Sequence, residues 1–397
     1  MIKVSDRAAA IAPSMTLAIS AKANELKAAG EKVINFGVGE PDFATPAHIV
    51  QAAKDALDCG RTKYVAAAGL PELRKAIAEK LKRENNLDYG PSQIIVSNGA
   101  KHSIFNAVFA TINEGDEVLI PKPYWLTYPE IVKACGGVPV YVMATYRHGY
   151  KVTASQIENM ITPKTKAIIL NSPCNPTGAV YTEAEIRKIA DVCARHGLTV
   201  ISDEIYEKLI YGGETHFSIA SLLKEQTIVI NGLSKSHAMT GWRLGYLAAP
   251  EHVAKAIASF QSHSTSNVNT MTQYAALAAL GDDGASVRDM AGEFGARRAF
   301  MIEKLEEMKA LGFDFIKPDG AFYVMLLCDG LYGKTYCGRP VRGSMDFAEL
   351  LLEYKKVAAT PGVVFGDDDF IRLSYALSEK DIAEGLERIS EFAMKMQ

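Results

Sequence analysis

The chain has 397 residues, of which 48% are hydrophobic and 22% charged, and its formal net charge is -3 at pH 7. This length allows one large domain plus a smaller one, and the composition is that of an ordinary globular enzyme. Because the chain carries no excess of positive charge, a nucleic-acid partner is not expected.

Neither the cysteines nor the amino-terminal segment indicates secretion. The six cysteines are irregularly spaced and include no C-x-x-C pair, so we expect free thiols in a reducing compartment and no structural zinc site. Pro13 and Ser14 interrupt the apolar stretch near the amino terminus, and no apolar run is long enough to span a bilayer. These features predict a cytoplasmic protein that does not bind membranes.

In chain order, the predicted elements begin with an irregular arm and one helix over about residues 16–30, followed by alternating strands and helices. The predicted strands are residues 93–97, 117–120, 138–142, 167–170, 199–202, 227–230 and 244–249. Helical patterns between them include residues 101–112, 128–133 and 183–194. This alternation predicts an α/β fold with a mostly parallel sheet covered by helices on both faces.

The pattern changes after about residue 290. Long amphipathic helices are predicted at residues 297–311 and 379–395, with isolated strands at 322–327 and 370–375. We therefore predict a large domain of residues 46–290. A smaller α+β domain combines residues 291–397 with residues 1–45, which include the amino-terminal arm.

Chemically functional groups follow five of the predicted strands, at the end where a parallel sheet binds its ligands. They lie in the segments 98–101, 121–125, 171–178, 203–206 and 231–235. A sheet with a purely structural role does not need charged, aromatic and amide side chains along a single edge. The sequence therefore predicts a ligand site at the carboxyl ends of the strands.

Several of these residues match separate parts of a phosphorylated aromatic cofactor. Gly99 and Ala100 place small residues at a helix start, where free backbone N–H groups bind phosphate. Trp125 offers a flat face for stacking an aromatic ring. Asn175 and Tyr206 can form hydrogen bonds to a phenolic oxygen.

Three charged residues complete the match to pyridoxal 5'-phosphate (PLP). Asp203 can pair with a pyridinium nitrogen, Lys235 can form an imine with an aldehyde, and Arg243 can bind phosphate. Each residue alone has a structural alternative, since an aspartate after a strand commonly caps a helix and a loop lysine is commonly solvated. Their occurrence together, in the required order, favours PLP.

The longest single motif is residues 232–245, GLSKSHAMTGWRLG. Further motifs are residues 37–43, 62–64, 124–125, 175–178, 202–206, 320–323 and 370–375. In these segments, which span nearly the whole chain, the sequence resembles the fold-type I, class I PLP-dependent aminotransferases, in particular their bacterial aspartate aminotransferase branch. The resemblance implies the fold of that family, with a mostly parallel seven-stranded sheet in the large domain.

The resemblance also implies the catalytic set. Lys235 would hold the cofactor covalently and move the substrate proton, and Asp203 would bind the ring nitrogen. Asn175 and Tyr206 would bind the ring hydroxyl, and Trp125 would stack on the ring and face the substrate.

Around the cofactor phosphate, the resemblance places Gly99, Ala100, Lys101, Ser234 and Arg243. Tyr64 would reach the phosphate of the neighbouring subunit. The site therefore implies a homodimer with shared active sites.

For the substrate, the resemblance implies that Arg372 binds the α-carboxylate, assisted by the Gly39 backbone and Asn175. An arginine for the second carboxylate is absent from residues 261–267, QSHSTSN, where some aspartate aminotransferases carry one. Lys101 is then the candidate for that carboxylate, with a plain phosphate or solvent contact as its alternative.

The reaction implied is aspartate plus 2-oxoglutarate giving oxaloacetate plus glutamate. An aromatic, prephenate or alanine-type aminotransferase remains an alternative, as does a PLP-dependent C–S lyase. A PLP-sensing regulator would need an added DNA-binding module, which the sequence does not show. A nicotinamide-binding sheet would need G-x-G-x-x-G after an early strand, which is also absent.

Overall fold

The computed structural model describes residues 2–13 and 15–397, so Met1 and Ser14 of the predicted amino-terminal arm lie outside the described residues. Its helices are α1 (Asp6–Ala9), α2 (Met15–Ala28), α3 (Ala47–Asp58), α4 (Pro71–Asn85), α5 (Ala100–Thr111), α6 (Thr127–Ala134), α7 (Ala154–Asn159), α8 (Glu183–His196), α9 (Glu251–Ser264), α10 (Thr270–Gly281), α11 (Ala285–Met308), α12 (Ser344–Lys355) and α13 (Glu379–Met394).

The strands are β1 (Ile34–Asn35), β2 (Ile94–Ser97), β3 (Glu117–Lys122), β4 (Val138–Met143), β5 (Thr165–Asn171), β6 (Thr199–Asp203), β7 (Thr227–Gly232), β8 (Gly245–Ala248), β9 (Asp314–Phe315), β10 (Tyr323–Leu327), β11 (Thr335–Tyr336), β12 (Arg339–Pro340), β13 (Val357–Ala358), β14 (Thr360–Pro361) and β15 (Phe370–Ser374). Within the described residues, no helix is both long and apolar enough to cross a membrane.

The large sheet has seven strands in the order β2-β8-β7-β6-β5-β3-β4. All neighbouring pairs are parallel except the two that involve β8. The predicted α/β fold with a mostly parallel seven-stranded sheet is confirmed.

Alternating side chains of β5 explain why helices cover both faces of this sheet. Ile168 and Leu170 pack in the apolar cluster that includes α8, whereas Ala167 and Ile169 pack in the cluster that includes α5 and α9. Because successive side chains of a strand point to opposite faces, a continuous apolar run suits a strand buried on both sides.

The smaller sheet is antiparallel, with the order β14-β15-β10-β9. The predicted strands at 322–327 and 370–375 correspond to β10 and β15. The amino-terminal segment joins this part of the molecule, because β1 pairs in parallel with β13 through Ile34 and Val357.

Helix α11 differs from its prediction, since it begins at Ala285 rather than at residue 297. Its first half contains Gly292 and Gly295, which weaken helix propensity and the amphipathic pattern. The helix persists because tertiary packing buries Val287 and Phe294. It also runs without a break through residue 290, where we propose that the two domains meet.

Candidate active site

A cavity of about 590 Å³ opens at the carboxyl ends of β5, β6 and β7. Asn171 and Asp203 are the last residues of β5 and β6, and Lys235 follows β7 by three residues. The small sheet contributes Tyr323 and Arg372 to the same cavity. The site therefore lies between the large sheet and the small one, at the edge that the sequence predicts.

Lys235 lies under a loop of the amino-terminal segment. Its Nζ donates a hydrogen bond to the Gly39 carbonyl oxygen at 2.5 Å. Burial, aided by Arg372 and Arg243, lowers the pKa of Lys235 to about 8, although Glu40 and Asp203 oppose this shift. An amine with this pKa is partly neutral near physiological pH, which is the form that acts as a nucleophile or base.

Asp203 is buried at the end of β6. The Tyr128 hydroxyl donates to its Oδ2 at 2.7 Å, and the Ile205 backbone N–H donates to its Oδ1 at 3.2 Å. Burial raises the pKa of Asp203 to about 6, whereas the Tyr128 hydrogen bond lowers it. A protonated ring nitrogen beside Asp203 would compensate this buried carboxylate.

Tyr128 is a site residue that the sequence motifs did not predict. Its ring lies edge-on to Trp125, with the ring centroids 5.4 Å apart and an interplanar angle of 86°. The sequence feature that could have indicated Tyr128 is its spacing of three residues from Trp125. This spacing places both rings near the start of α6. One short segment thus supplies a stacking surface and a hydrogen-bond donor to Asp203.

The turn after β5 connects the carboxylate site to Arg372. Asn171, which was also missed, donates from Nδ2 to the Asp203 carbonyl oxygen at 2.9 Å. Its Oδ1 accepts from the Asn175 backbone N–H at 2.9 Å, and Arg372 Nη1 donates to Asn175 Oδ1 at 2.8 Å.

Tyr206 also lines the cavity and is buried. Its hydroxyl is 3.1 Å from that of Tyr323, a further residue without an assigned role in the sequence analysis. Both residues line the cavity together with Asn175 and Arg372.

Arg372 is 2% exposed in the middle of β15. Its guanidinium carbon lies 4.1 Å from the Tyr323 ring centroid, and Nη2 donates to the Gly37 carbonyl oxygen at 3.3 Å. Within residues 2–13 and 15–397, its Nε has no hydrogen-bond partner and the side chain forms no salt bridge. A buried arginine without a carboxylate partner is suited to binding an anionic ligand.

The other end of the cavity is formed by the start of α5. A side-chain carbon on Gly99, whose φ is +87°, would lie 2.7 Å from Arg243 Nη2, so only glycine allows this approach. Lys101 Nζ lies 4.9 Å from the Trp125 ring centroid. Burial and the neighbouring Arg243 lower the pKa of Lys101. Arg243 beside a helix amino terminus forms a site that fits a phosphate group, and Lys101 adds a second cation next to it.

The structure brings most of the predicted site residues together. The cavity is lined by Gly39, Ala100, Lys101, Trp125, Asn175, Asp203, Tyr206, Ser234, Lys235, Arg243 and Arg372. Gly99 precedes Ala100 in the chain, and its backbone lies close to Arg243. Tyr64 is 89% exposed and outside the cavity, so its predicted role in a neighbouring subunit stays a prediction.

Comparisons with known proteins agree with this geometry. Residues 31–389 match the model of the family "Aminotransferase class I and II". An aspartate aminotransferase from Bacillus subtilis (strain 168) is 48% identical over 397 residues, covering 99% of this chain and 100% of the relative. A probable aspartate/prephenate aminotransferase from Aquifex aeolicus (strain VF5) is 47% identical over 393 residues, with both chains covered to 98%.

A solved structure, that of aspartate aminotransferase from Thermus thermophilus with maleate, superimposes with a TM-score of 0.93. It is 41% identical, and the match covers 99% of this chain and 100% of the other. The predicted family, the fold type and the PLP cofactor are therefore confirmed. The chain belongs to the class I and II aminotransferase family and is a PLP-dependent enzyme.

Proposed function

We propose that this aminotransferase transfers the amino group of aspartate to 2-oxoglutarate, giving oxaloacetate and glutamate. The observation that carries the proposal is the set of cations in one cavity. After Lys235 and Arg243 are assigned to the cofactor, the cations that still line the cavity are Lys27, Lys101 and Arg372, and we assign the two substrate carboxylates to Arg372 and Lys101. The names of the relatives, and the maleate in the Thermus thermophilus structure, support a dicarboxylate substrate.

The residues that would hold PLP are those that line the cavity around Lys235. Asp203 would bind the ring nitrogen, Asn175 and Tyr206 the ring hydroxyl, and Trp125 the ring face. The phosphate would bind to Gly99, Ala100, Ser234 and Arg243, with Lys101 beside it and available to the substrate. When bound, PLP supplies an electron sink for the charge that develops at the substrate α-carbon.

In the proposed mechanism, Arg372 binds the α-carboxylate as a bidentate pair, and Asn175 and the Gly39 backbone assist. Lys235 would then take the proton from the substrate α-carbon and deliver it to the cofactor carbon that carries the aldehyde group, since its lowered pKa makes the neutral amine accessible. Asp203 would keep a proton on the ring nitrogen. Tyr206 would donate to the ring oxygen, and Trp125 would limit the movement of the ring.

The proposal extends to domains, assembly and location. Residues 46–290 would form the large domain, and residues 1–45 with 291–397 the small one, with the cavity between them.

A homodimer would bring the exposed Tyr64 to the partner's phosphate site. Six free cysteines are compatible with a cytoplasmic location. Light scattering of the purified enzyme tests the assembly, because it measures whether the particle has the mass of two chains or of one.

The experiment that tests the function is an absorption spectrum of the purified holoenzyme during two additions. Aspartate should convert the bound cofactor to its amine form, and 2-oxoglutarate should restore the original band. A spectrum unchanged by aspartate but changed by phenylalanine or alanine would contradict the substrate assignment and leave the PLP enzyme. Formation of a keto acid without need of an acceptor would indicate a lyase.

A second candidate acceptor is prephenate, since the Aquifex aeolicus relative is named as a probable aspartate/prephenate aminotransferase. Prephenate also carries two carboxylates, which Arg372 and Lys101 could bind. Comparing kcat/KM for prephenate and 2-oxoglutarate, with aspartate as donor, decides between these acceptors.

Lys101→Ala is expected to raise the KM for aspartate about tenfold, because one charge-assisted contact to the distal carboxylate is lost. The KM for alanine, which has no distal carboxylate, should change much less. Steady-state kinetics with both amino acids measure the difference. Lys255→Ala, which removes an exposed lysine of α9, is the control. Equal changes for aspartate and alanine would remove Lys101 from the specificity role.

The rate at which PLP attaches covalently to the cofactor-free enzyme should rise with pH and level off above about 8. The neutral Lys235 amine is the attacking species, and its pKa is lowered to about 8. The neutral fraction therefore grows as pH rises through this value. Absorbance after mixing with PLP measures the rate from pH 6 to pH 10. A rate that rises only near the ordinary lysine pKa would contradict the assigned environment of Lys235.

A further inference from the structure

The loop between β1 and α3, residues 37–45, is fastened to the segment that carries Lys235. The Gly39 carbonyl oxygen accepts from Lys235 Nζ, and Thr240 Oγ1 donates to Glu40 Oε2 at 2.7 Å. Thr45 Oγ1 donates to the carbonyl oxygen of Ala238 at 2.6 Å. One side of the 37–45 loop is thus bound to residues 235–240.

The other side of the 37–45 loop is fastened to α11 by Arg297. Arg297 Nη1 donates to both carboxylate oxygens of Asp42, at 2.7 and 2.9 Å. Its guanidinium carbon lies 5.0 Å from the Phe43 ring centroid, and Phe43 packs edge-on against Phe294 at 5.2 Å. The Arg297 side chain is 9% exposed and that of Asp42 33% exposed, so the ion pair is shielded from water on the arginine side only.

The same loop contributes backbone groups to the cavity. Arg372 Nη2 donates to the Gly37 carbonyl oxygen, and Gly39 lines the cavity beside Lys235. Residues 37–45 contain no helix or strand, so no backbone ladder of their own fixes their position. Gly37 is also held by its own N–H, which donates to Asn35 Oδ1 at 3.0 Å, so the side-chain contacts on either side act mainly on the position of Gly39.

We propose that Arg297 is a positioning residue for substrate binding, because through Asp42 and Phe43 it fixes the 37–45 loop beside Arg372 and Lys235. This rests on the proposed function in that Gly39 assists Arg372 in binding the α-carboxylate. Every amino-acid substrate has an α-carboxylate. Arg297 thus affects affinity for all of them alike, in contrast to the selective effect of Lys101.

The test compares Asp42→Asn and Arg297→Gln with the parent holoenzyme. We expect the KM for aspartate and for alanine to rise by the same factor, about tenfold, because misplacing a binding group by a fraction of an ångström weakens it without removing it. kcat should stay within about threefold of the parent, since Lys235 and Asp203 are unchanged. The absorption band of the bound cofactor should also be unchanged.

Hydrogen exchange supplies a readout that does not depend on activity. Amides of residues 37–45 should exchange faster in both variants, and the double variant should differ little from either single one. Glu293→Gln is the matched control, since Glu293 also accepts from Arg297, at 3.0 Å, but forms no hydrogen bond or ion pair with residues 37–45 in the described part of the chain. It should leave both KM values and the exchange of residues 37–45 at parent levels.

Unchanged exchange and unchanged KM in Asp42→Asn, which is isosteric and only partly buried, would overturn the proposal. So would a rise in KM for aspartate alone, or equal effects from Glu293→Gln. A parent enzyme that does not convert aspartate contradicts the proposed substrate instead. In that case the role of Arg297 is tested by two measurements. They are the hydrogen exchange of residues 37–45 and the KM for whichever amino acid the enzyme converts.

Discussion

Lys235→Ala is expected to abolish transamination, with kcat reduced by at least about 10⁴-fold, because the variant lacks both the covalent attachment and the proton carrier. PLP should still bind without a covalent bond, since the phosphate end and Asp203 are intact. Reduction with borohydride followed by mass spectrometry should detect labelled parent enzyme and unlabelled variant.

Lys235→Arg is the matched variant, as it keeps a positive charge in the cavity but offers no neutral amine near pH 8. It should be as inactive as Lys235→Ala, which would separate the role of the amine from that of its charge. Turnover at the parent rate by either variant would exclude Lys235 as the cofactor lysine.

Asp203→Asn should lower kcat by about 10³-fold with little change in KM, because a neutral amide cannot hold the proton on the ring nitrogen that the electron sink requires. The substitution is isosteric, so the thermal unfolding midpoint should show that the fold is retained. A variant with nearly full kcat would contradict the assignment of Asp203.

Tyr128→Phe should have a smaller effect in the same direction, about tenfold in kcat, since it removes one hydrogen bond and leaves the carboxylate. The Tyr128 hydroxyl lowers the pKa of Asp203, so its removal raises that pKa. The acidic limb of the kcat profile should then move to higher pH. A pH profile identical to that of the parent would limit Tyr128 to packing against Trp125.

The large sheet could be predicted because its strands are short, continuous apolar runs that end at polar motifs. β5 is an example, since the prediction of residues 167–170 falls inside Thr165–Asn171. The pairing of β1 with β13 could not be predicted, because each strand has two residues and no periodicity. Its register depends on tertiary contacts between the two ends of the chain. The first half of α11 was missed for a related reason, since packing outweighs its two glycines.

The candidate site was predictable where its residues form linear motifs, as Lys235 and Asp203 do. Tyr128 was missed although it lies three residues from Trp125, because its partner Asp203 is 75 positions away in the chain. The link between Asp42 and Arg297 spans 255 positions. Spacing along the sequence carries no information about contacts of this kind. The structure is needed to show which side chains hold the predicted ones in place.

The pairing of Ile34 with Val357 has a consequence for how the protein is made. During synthesis, β1 leaves the ribosome more than 300 residues before its partner strand, so the two strands pair only once residues 357–358 have been made. Arg372, which closes the cavity from β15, is made later still. All seven strands of the large sheet are made before β13, so Lys235 is present before the cavity can close. A chain truncated before β15 would therefore have the lysine but not the enclosed site.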